Sequence, residues 1–207
     1  MTTTHRLSLP LTEHAVRSLR AGDLVVLDGE MTITAGLPTH QRIQEHLDAD
    51  RPLPIDLRGG ALFHLGSYSQ DTADGFEVLY MNPTTSTRFN AYMPGFIRRL
   101  GLRAVGGKGG LDRASAAAMQ ECGCVYLSFL GGGCPLLSEA ITGVVSVHWT
   151  DLIAHFRLTT LSVAGLGPLT VGIDAHGNSL YDTLHDTAAA RMPTILAGLR
   201  ADRETAQ

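Results

Sequence analysis

The chain has 207 residues, of which 44% are hydrophobic and only 17% are charged, so it can bury a sizeable core and is not intrinsically disordered. Its formal charge is −4, from 16 basic and 20 acidic residues. This balance argues against nucleic acid or a membrane as a partner, because both need a basic excess. At this length we expect one domain that spans residues 1–207.

The cysteines and the N-terminus indicate the compartment. Cys122, Cys124 and Cys134 are sparse and odd in number, which is typical of a reducing environment rather than of a disulfide framework. The opening residues MTTTHRLSLP lack the apolar segment of a secretory leader, and no apolar run approaches the ~18 residues of a membrane span. We therefore expect a cytoplasmic protein.

Short apolar runs separated by glycine and proline organise the first part of the chain. Apolar residues recur at helical spacing within 11–20, and Thr12 is suited to cap that helix. The apolar run 24–27 is followed by an Asp-Gly pair, so residues 31–34 are predicted as the return strand of a hairpin. Further along we predict a helix that begins near His40, a strand at 61–65 and a strand at 76–81.

The rest of the chain alternates between strand and helix patterns. This alternation is typical of α/β proteins, in which loops at the strand ends form the site. Strand patterns return in the last third, so we predict a mixed α/β fold with sheets and flanking helices. The predicted elements are helix 83–100, strand 103–105, glycine loop 106–110, helix 111–121, strand 124–130, glycine loop 131–133, helix 135–142, strands 144–147 and 160–164, a hairpin of 169–173 with 179–181, and helix 183–200.

The segment Asn82–Arg88 is the strongest candidate site. It follows a predicted strand and opens a predicted helix, with Pro83 at an early helical position that tolerates proline. Free backbone N–H groups at such a terminus, the adjacent hydroxyls and the Arg88 side chain would together bind an anion. The alternative is a strongly capped helix with a solvated surface arginine.

The loop Gly106–Gly110 is the second candidate. Glycines on both sides of Lys108 expose backbone around a single ammonium group, which suits a carboxylate or phosphate ligand. Neither Ser nor Thr follows Lys108, so this is not a phosphate-binding Walker A loop. A flexible turn with a solvated lysine is the alternative. Because this loop and Asn82–Arg88 follow successive strands, we expect them at one edge of one sheet.

Other motifs carry less chemistry. The spacing of the three cysteines does not fit a structural zinc site, and we interpret them as buried thiols and expect no metal site on this chain. Among the histidines, only His40, at a predicted helix start beside a loop, resembles a site residue. His64 lies in an apolar strand pattern and is interpreted as structural. A Gly-x-Ser-x-Gly nucleophile elbow does not occur.

These motifs together resemble the β subunit, or C-terminal domain, of class I iron–sulfur fumarases and L(+)-tartrate dehydratases. The run Pro-Thr-Thr-Ser-x-Arg at 83–88 and the Gly-Lys-Gly at 107–109 carry the resemblance. Supporting stretches occur in the same order along nearly the whole chain: LRAGDLVVLDG, PIDLRGGALFHLG, VHWTDL and GPLTVGIDAHGN.

The resemblance implies a swivelling β/β/α domain that works with an α subunit. That partner would hold a [4Fe–4S] cluster through three cysteines of its own, in an α2β2-type assembly, whereas this chain by itself could be a homodimer. The implied reaction is reversible addition of water to an enoic (di)carboxylate, or dehydration of a 2-hydroxy acid. In this role Thr84 would be the catalytic base, Lys108 a second catalytic residue, and the substrate would contact Arg88, Thr85, Ser86, His40 and Gly107.

One departure from the family pattern concerns the substrate. An arginine-aspartate pair normally precedes the family's histidine, and Gly36–Leu37 stand there in this chain. Without that arginine, we expect a roomier and more apolar pocket in which Leu37 contacts the substrate, and a preference for substituted or monocarboxylate hydroxy acids. Two alternatives remain open: a non-catalytic anion-binding or regulatory module of the same fold, and a stand-alone hydrolase.

Overall fold

The computed structural model describes residues 2–73 and 75–205. It is a mixed α/β fold, which confirms the predicted fold class. The strands are β1 (Thr4–Ser8), β2 (Leu24–Ile33), β3 (Ala61–Phe63), β4 (Leu65–Thr72), β5 (Gly75–Pro83), β6 (Ala104–Gly107), β7 (Val125–Ser128), β8 (Ile141–His148) and β9 (Leu158–Ile173). The helices are α1 (Glu13–Ser18), α2 (Leu37–Asp48), α3 (Met93–Leu100), α4 (Arg113–Cys122), α5 (Cys134–Leu137) and α6 (Leu180–Thr205).

The main sheet has seven strands in the order β1-β2-β3-β6-β7-β9-β8. The pairs β1–β2, β2–β3, β3–β6 and β6–β7 are parallel. Strand β9 runs antiparallel to β2, β7 and β8. Because β9 pairs with both β2 and β7, the sheet closes on itself. Strands β4 and β5 form a separate antiparallel hairpin.

The alternation of side chains along the strands divides the core in two. On β3, Ala61 and Phe63 belong to a cluster formed mainly by strand residues, with Val16 and Leu19 of the α1 region. Leu62, between them, belongs to a second cluster that contains residues of α2, α3 and α4. The closed sheet therefore has one packed face toward its own interior and one packed face under the helices.

Of the two predicted hairpins, the first is wrong and the second is reduced to a single bridge. β2 runs without interruption from Leu24 to Ile33, because its pairing with β9 absorbs Gly29, at φ +108°, as an irregularity in register rather than a turn. β9 likewise joins the predicted strands 160–164 and 169–173. Ser179 makes only an isolated bridge with Ile173 before α6 begins at Leu180.

The helix predicted to begin near His40 begins three residues earlier. Gly36 occupies the N-cap position of α2, and Pro38 lies within the first turn, where proline is tolerated. At α1 the predicted cap is confirmed, because the Thr12 side chain accepts a hydrogen bond from the Ala15 N–H. No helix among residues 2–73 and 75–205 is long and apolar enough to cross a membrane.

Candidate functional site

Backbone hydrogen bonds join the two candidate loops. The Thr84 N–H donates to the carbonyl of His64 at 2.8 Å, and the Lys108 N–H donates to the carbonyl of Thr84 at 3.1 Å. The Ser86 N–H then donates to the carbonyl of Lys108 at 2.9 Å. The predicted proximity of the two loops is confirmed, although β5 belongs to the hairpin rather than to the main sheet, so the contact is a parallel bridge between Thr85 and Lys108.

The predicted helix 83–100 is wrong at its N-terminal end. β5 continues to Pro83, a short 3-10 helix covers Ser86–Phe89, and α3 begins only at Met93. The backbone groups of Thr84 and Ser86 are engaged with His64 and Lys108, so they cannot begin a helix. The segment therefore offers an anion its side chains and not a helix N-terminus.

The joined loops form one wall of a cleft of about 390 Å³. Arg88 and Lys108 are both exposed here, and Arg88 Nη1 donates a hydrogen bond to Thr84 Oγ1 at 3.3 Å. Neither cation forms an ion pair with the described residues, and Lys108 is the only lysine in the sequence. No carboxylate occurs among the lining residues, which are Ala35, Gly66, Ser67, Tyr68, Tyr80, Asn82, Pro83, Thr84, Thr85, Arg88, Lys108 and His155. The cleft is thus locally cationic in an acidic protein.

Two other predicted site residues lie beneath the cleft surface. Ser86 is fully buried, and its Oγ lies 2.8 Å from His64 Nδ1 and 2.9 Å from the Tyr126 hydroxyl. Gly107 is also buried, and a Cβ at this position would overlap Ser86 Oγ. Neither residue lines the cleft. Both instead fix the position of the loops that carry Thr84 and Lys108.

The chain matches the model of the fumarase C-terminus family over residues 2–184. The chain belongs to the fumarase C-terminus family.

Relatives of known name share this membership. The chain is 32% identical to the L(+)-tartrate dehydratase subunit beta of Escherichia coli K12 over 174 residues, 84% of this chain and 85% of the relative. It is 33% identical to the putative L(+)-tartrate dehydratase subunit beta of Methanocaldococcus jannaschii over 187 residues, 90% of this chain and 95% of the relative. A putative class I fumarate hydratase of Geobacillus stearothermophilus is 31% identical over 90% of this chain, which matches only 35% of that protein. The resemblance stated from the motifs is confirmed.

His40, the remaining predicted site residue, does not line the cleft of this family member. It is fully buried in α2, where its ring stacks on Phe89 at a centroid distance of 3.8 Å and its Nδ1 donates to the carbonyl of Gly36 at 2.7 Å. Phe89 follows Arg88 directly in the chain. His40 therefore supports the 3-10 helix that carries Arg88 rather than facing the open cleft.

His64 has a larger part in the site than the sequence indicated. Its backbone carbonyl accepts from Thr84, and its ring is hydrogen-bonded to Ser86 and lies 5.3 Å from the ring of His40. The sequence signal was its place at the end of a buried strand, immediately before β4. The sequence also gave no indication of Tyr68, Tyr80 and His155, which reach the cleft from β4, β5 and the segment before β9.

The structure changes the interpretation of Gly36–Leu37. A Cβ on Gly36 would lie 2.7 Å from both Phe156 Cβ and Thr39 Oγ1, so a larger side chain would have to displace Phe156. Leu37 is 44% exposed but does not line the cleft. The expected contact between Leu37 and substrate is therefore not present in this arrangement, and Ala35 is the residue of this loop that reaches the cleft.

The three cysteines do not fit an iron–sulfur cluster. Cys124 and Cys134 are buried in the two different core clusters, and Cys122 is half-buried at the end of α4. Burial raises the pKa of the Cys134 thiol to about 11 and raises the pKa of Cys124 further, which disfavours the thiolate that binds metal. Among the described residues, no group of three or more Cys, His, Asp or Glu side chains could hold a metal ion.

The buried histidines predict a loss of stability in acid. Burial lowers the pKa of His40 to about 4, and burial together with His40 lowers the pKa of His64. Neither Nε2 atom has a hydrogen-bond partner among the described residues. As the pH falls below the ordinary histidine pKa of 6.5 toward 4, the unfolded chain binds protons that the folded chain does not, so folding free energy is lost. For His40 alone this amounts to roughly 3 kcal/mol.

The measurement is the free energy of unfolding in urea between pH 7 and pH 4. His40→Phe retains a ring against Phe89 but cannot titrate, so its unfolding free energy should fall less steeply across this range. The matched control is His14→Asn, which replaces an exposed histidine of α1 that lies outside both core clusters. Equal slopes for wild type and His40→Phe would contradict the assignment.

Proposed function

We propose that this chain is the β-type subunit of a hydro-lyase that adds water to an enoic acid or removes it from a 2-hydroxy acid. The single observation that carries the proposal is the convergence of Thr84, Arg88 and Lys108 on one cleft that no carboxylate lines. Membership in the fumarase C-terminus family and similarity to proteins named tartrate dehydratase and fumarate hydratase support the same class of reaction.

The chemistry needs fixed positive charge. Removal of a proton next to a carboxylate places further negative charge on that carboxylate, and preorganised cations stabilise it more as it develops. The Arg88 guanidinium can hold a carboxylate through two parallel hydrogen bonds, and the Lys108 ammonium can neutralise it as a point charge. Thr85, at the bridge with Lys108, lines the same cleft and can donate a hydroxyl hydrogen bond to the substrate.

Thr84 is proposed as the base that takes the proton. A threonine hydroxyl is a weak base unless neighbouring groups stabilise its oxygen in the deprotonated form. Arg88 Nη1 donates to Thr84 Oγ1, and Lys108 is hydrogen-bonded to the carbonyl of the same residue. The Arg88 guanidinium thus contacts the oxygen that would carry the negative charge, whereas the bond from Lys108 comes from its backbone N–H, and its ammonium group lines the same cleft. In this proposal Ser86, His64 and Gly107 hold the loops in position from below.

An iron–sulfur cluster fits a partner chain and not this one. The cysteines of this chain are buried and dispersed, so we assign the [4Fe–4S] cluster expected of the family to an α subunit, and we derive no step through it. The name of the Escherichia coli relative, a subunit beta, supports a partnered enzyme. We propose that the pair acts in the cytoplasm, in an α2β2-type assembly.

The lining of the cleft suggests the substrate. Its described cations are Arg88 and Lys108, and the exposed rings of Tyr68 and Tyr80, stacked at 5.3 Å, form an apolar wall beside them. Two cations suffice for one carboxylate, and the tyrosines favour an alkyl, ester or amide group at the other end. We therefore propose a substituted or monocarboxylate hydroxy acid in preference to malate or tartrate.

Reconstitution tests the proposal. This chain and an α-type chain that carries three cluster cysteines are each purified alone and then combined without air. Turnover is measured on malate, tartrate and alkylated or mono-amidated analogues. We expect this chain to be colourless and inactive alone, activity only in the iron-loaded mixture, and higher kcat/KM on the analogues. Stoichiometric iron and sulfide on this chain would overturn the assignment of the cluster. Activity without iron would indicate a hydrolase, and an inert mixture a binding module.

A further inference from the structure

The contacts described between α6 and the rest of the fold lie at its first turns. The Tyr181 ring packs edge-on against Tyr126, with centroids 5.7 Å apart, and Arg113 of α4 pairs with Asp186 at 2.8 Å. Beyond this root, every described side chain from Thr183 to Glu204 is exposed. Its 26 residues make a helix of about 39 Å, so most of α6 is an arm that leaves the body of the protein.

The arm has a broad apolar face. At 100° per residue, its large apolar side chains fall within about half of the helix circumference. Met192, Ile195 and Leu196 are 49%, 52% and 45% exposed, and the groove along this face has a volume of about 750 Å³. An isolated helix with such a face is unstable in water without a partner. The family match ends at residue 184, so the arm lies outside the region that the family shares.

We propose that this face of α6 binds the same face of α6 in a second copy of the chain, with the two helices antiparallel. The face is self-complementary: a two-fold axis between Met192 and Pro193 places every residue i opposite residue 385 − i of the other copy. Ala189 then faces Leu196, so a small side chain meets a large one and the helices can approach closely. The residues that line the groove map onto each other: His185 and Arg200, Ala188 and Ala197, Ala189 and Leu196, Met192 and Pro193.

Charge on the face selects this orientation. Asp182 lies at the N-terminal end of the face, where its half-buried carboxylate is 3.8 Å from Arg113 of the same chain, and Arg203 lies at the C-terminal end. Antiparallel helices place Arg203 of the second copy beside this carboxylate, which can accept hydrogen bonds from both arginines, whereas parallel helices would place like charges together. Asp202 and Glu204 lie at the margins of the face. The helix dipoles also oppose each other in the antiparallel pair. The arm lies beyond the matched residues 2–184, and the occupant that we propose for its face is a second copy of this chain.

Sedimentation velocity of the purified full chain tests the interface. We expect a species of twice the 22.1 kDa chain mass, with dissociation on dilution. Leu196→Asp places a charge in the centre of the face and should give the monomer. Thr194→Asp adds the same charge on the opposite side of the helix and should leave the dimer intact. Far-UV circular dichroism checks that both variants keep their helix content, and a chain that ends at Asp186, which retains the Arg113 contact, should also be monomeric.

Cross-linking tests the orientation. Ala189→Cys and Leu196→Cys chains, mixed and treated with a short bis-maleimide, should give a covalent dimer well above that of either variant alone or of wild type. A monomeric wild type, a dimer that persists in Leu196→Asp, a dimer lost in Thr194→Asp, or cross-linking equally strong in each variant alone would overturn the proposal. The measurements need neither the partner chain nor turnover, so their outcome is independent of the proposed function.

Discussion

Replacing Thr84 with alanine is expected to lower kcat of the reconstituted enzyme by about 10³ or more, with a small change in KM. A base acts in the transition state, so its loss appears in the turnover rate and not in ground-state binding. The side chain is half-buried at the end of β5, and its hydroxyl hydrogen bond is to Arg88. The fold should therefore tolerate the alanine. The measurements are kcat and KM on the preferred substrate, together with the midpoint of urea unfolding of the isolated chain as a check on its stability.

Two controls separate the hydroxyl from its surroundings. Thr84→Ser keeps a hydroxyl and should retain most of the turnover. Thr87→Ala removes an exposed threonine from the neighbouring 3-10 helix Ser86–Phe89; Thr87 does not line the cleft, and this variant should behave as wild type. Turnover of Thr84→Ala near the wild-type rate would remove Thr84 from the base role while leaving the cleft as a binding site.

Arg88→Ala and Lys108→Ala are each expected to lower kcat/KM by about 10² or more, which corresponds to roughly 2.7 kcal/mol of lost transition-state stabilisation. Each change removes one of the two cations of the cleft, and the substrate carboxylate then loses a charge-assisted hydrogen bond. Both side chains are exposed and form no ion pair with the described residues, so the free energy of unfolding should change little.

The conservative variant Arg88→Lys separates the charge of Arg88 from its bidentate hydrogen bonding. Arg88→Lys keeps the charge but loses the planar fork, so a bidentate role predicts an activity close to that of Arg88→Ala. Arg51→Ala, at an exposed arginine outside the cleft, is the matched control and should leave kcat/KM unchanged. Full activity of Arg88→Lys would mean that Arg88 acts only as a charge.

Local sequence patterns were sufficient to identify the candidate loops, the family and the fold class of this chain. The two loops that form the cleft were identified from residue type and position alone, since a proline-hydroxyl-arginine run and a glycine-flanked lysine each follow a strand pattern. The family resemblance rested on the same residues and is confirmed by the match over 2–184. Composition and alternation were also sufficient for the mixed α/β class, because burial imposes its period on the sequence directly.

The sequence pattern did not predict the hydrogen bonds between segments that are distant in the chain. The sequence pattern at 83–86 predicts a helix start, yet the bridge from Thr85 to Lys108 and the bond from Thr84 to His64 hold Thr84 and Thr85 outside any helix. In the same way β2 stays continuous because it pairs with β9, more than 120 residues away in the chain. Such hydrogen bonds outweigh local propensity, which is worth at most about 1 kcal/mol per residue for residues other than proline.

The sequence by itself identified the three side chains that we propose for the chemistry, Thr84, Arg88 and Lys108, and the structure places them around one cleft. Only the tertiary structure decided which of the other candidates reach the cleft. Ser86 and His40 have polar side chains suited to a site, but the packing of the helices buries both, and their hydrogen bonds are directed at Tyr126, His64 and the carbonyl of Gly36. The chemistry of a side chain follows from its residue type. Its exposure depends on contacts with segments far away in the chain, and a local sequence pattern does not contain those contacts.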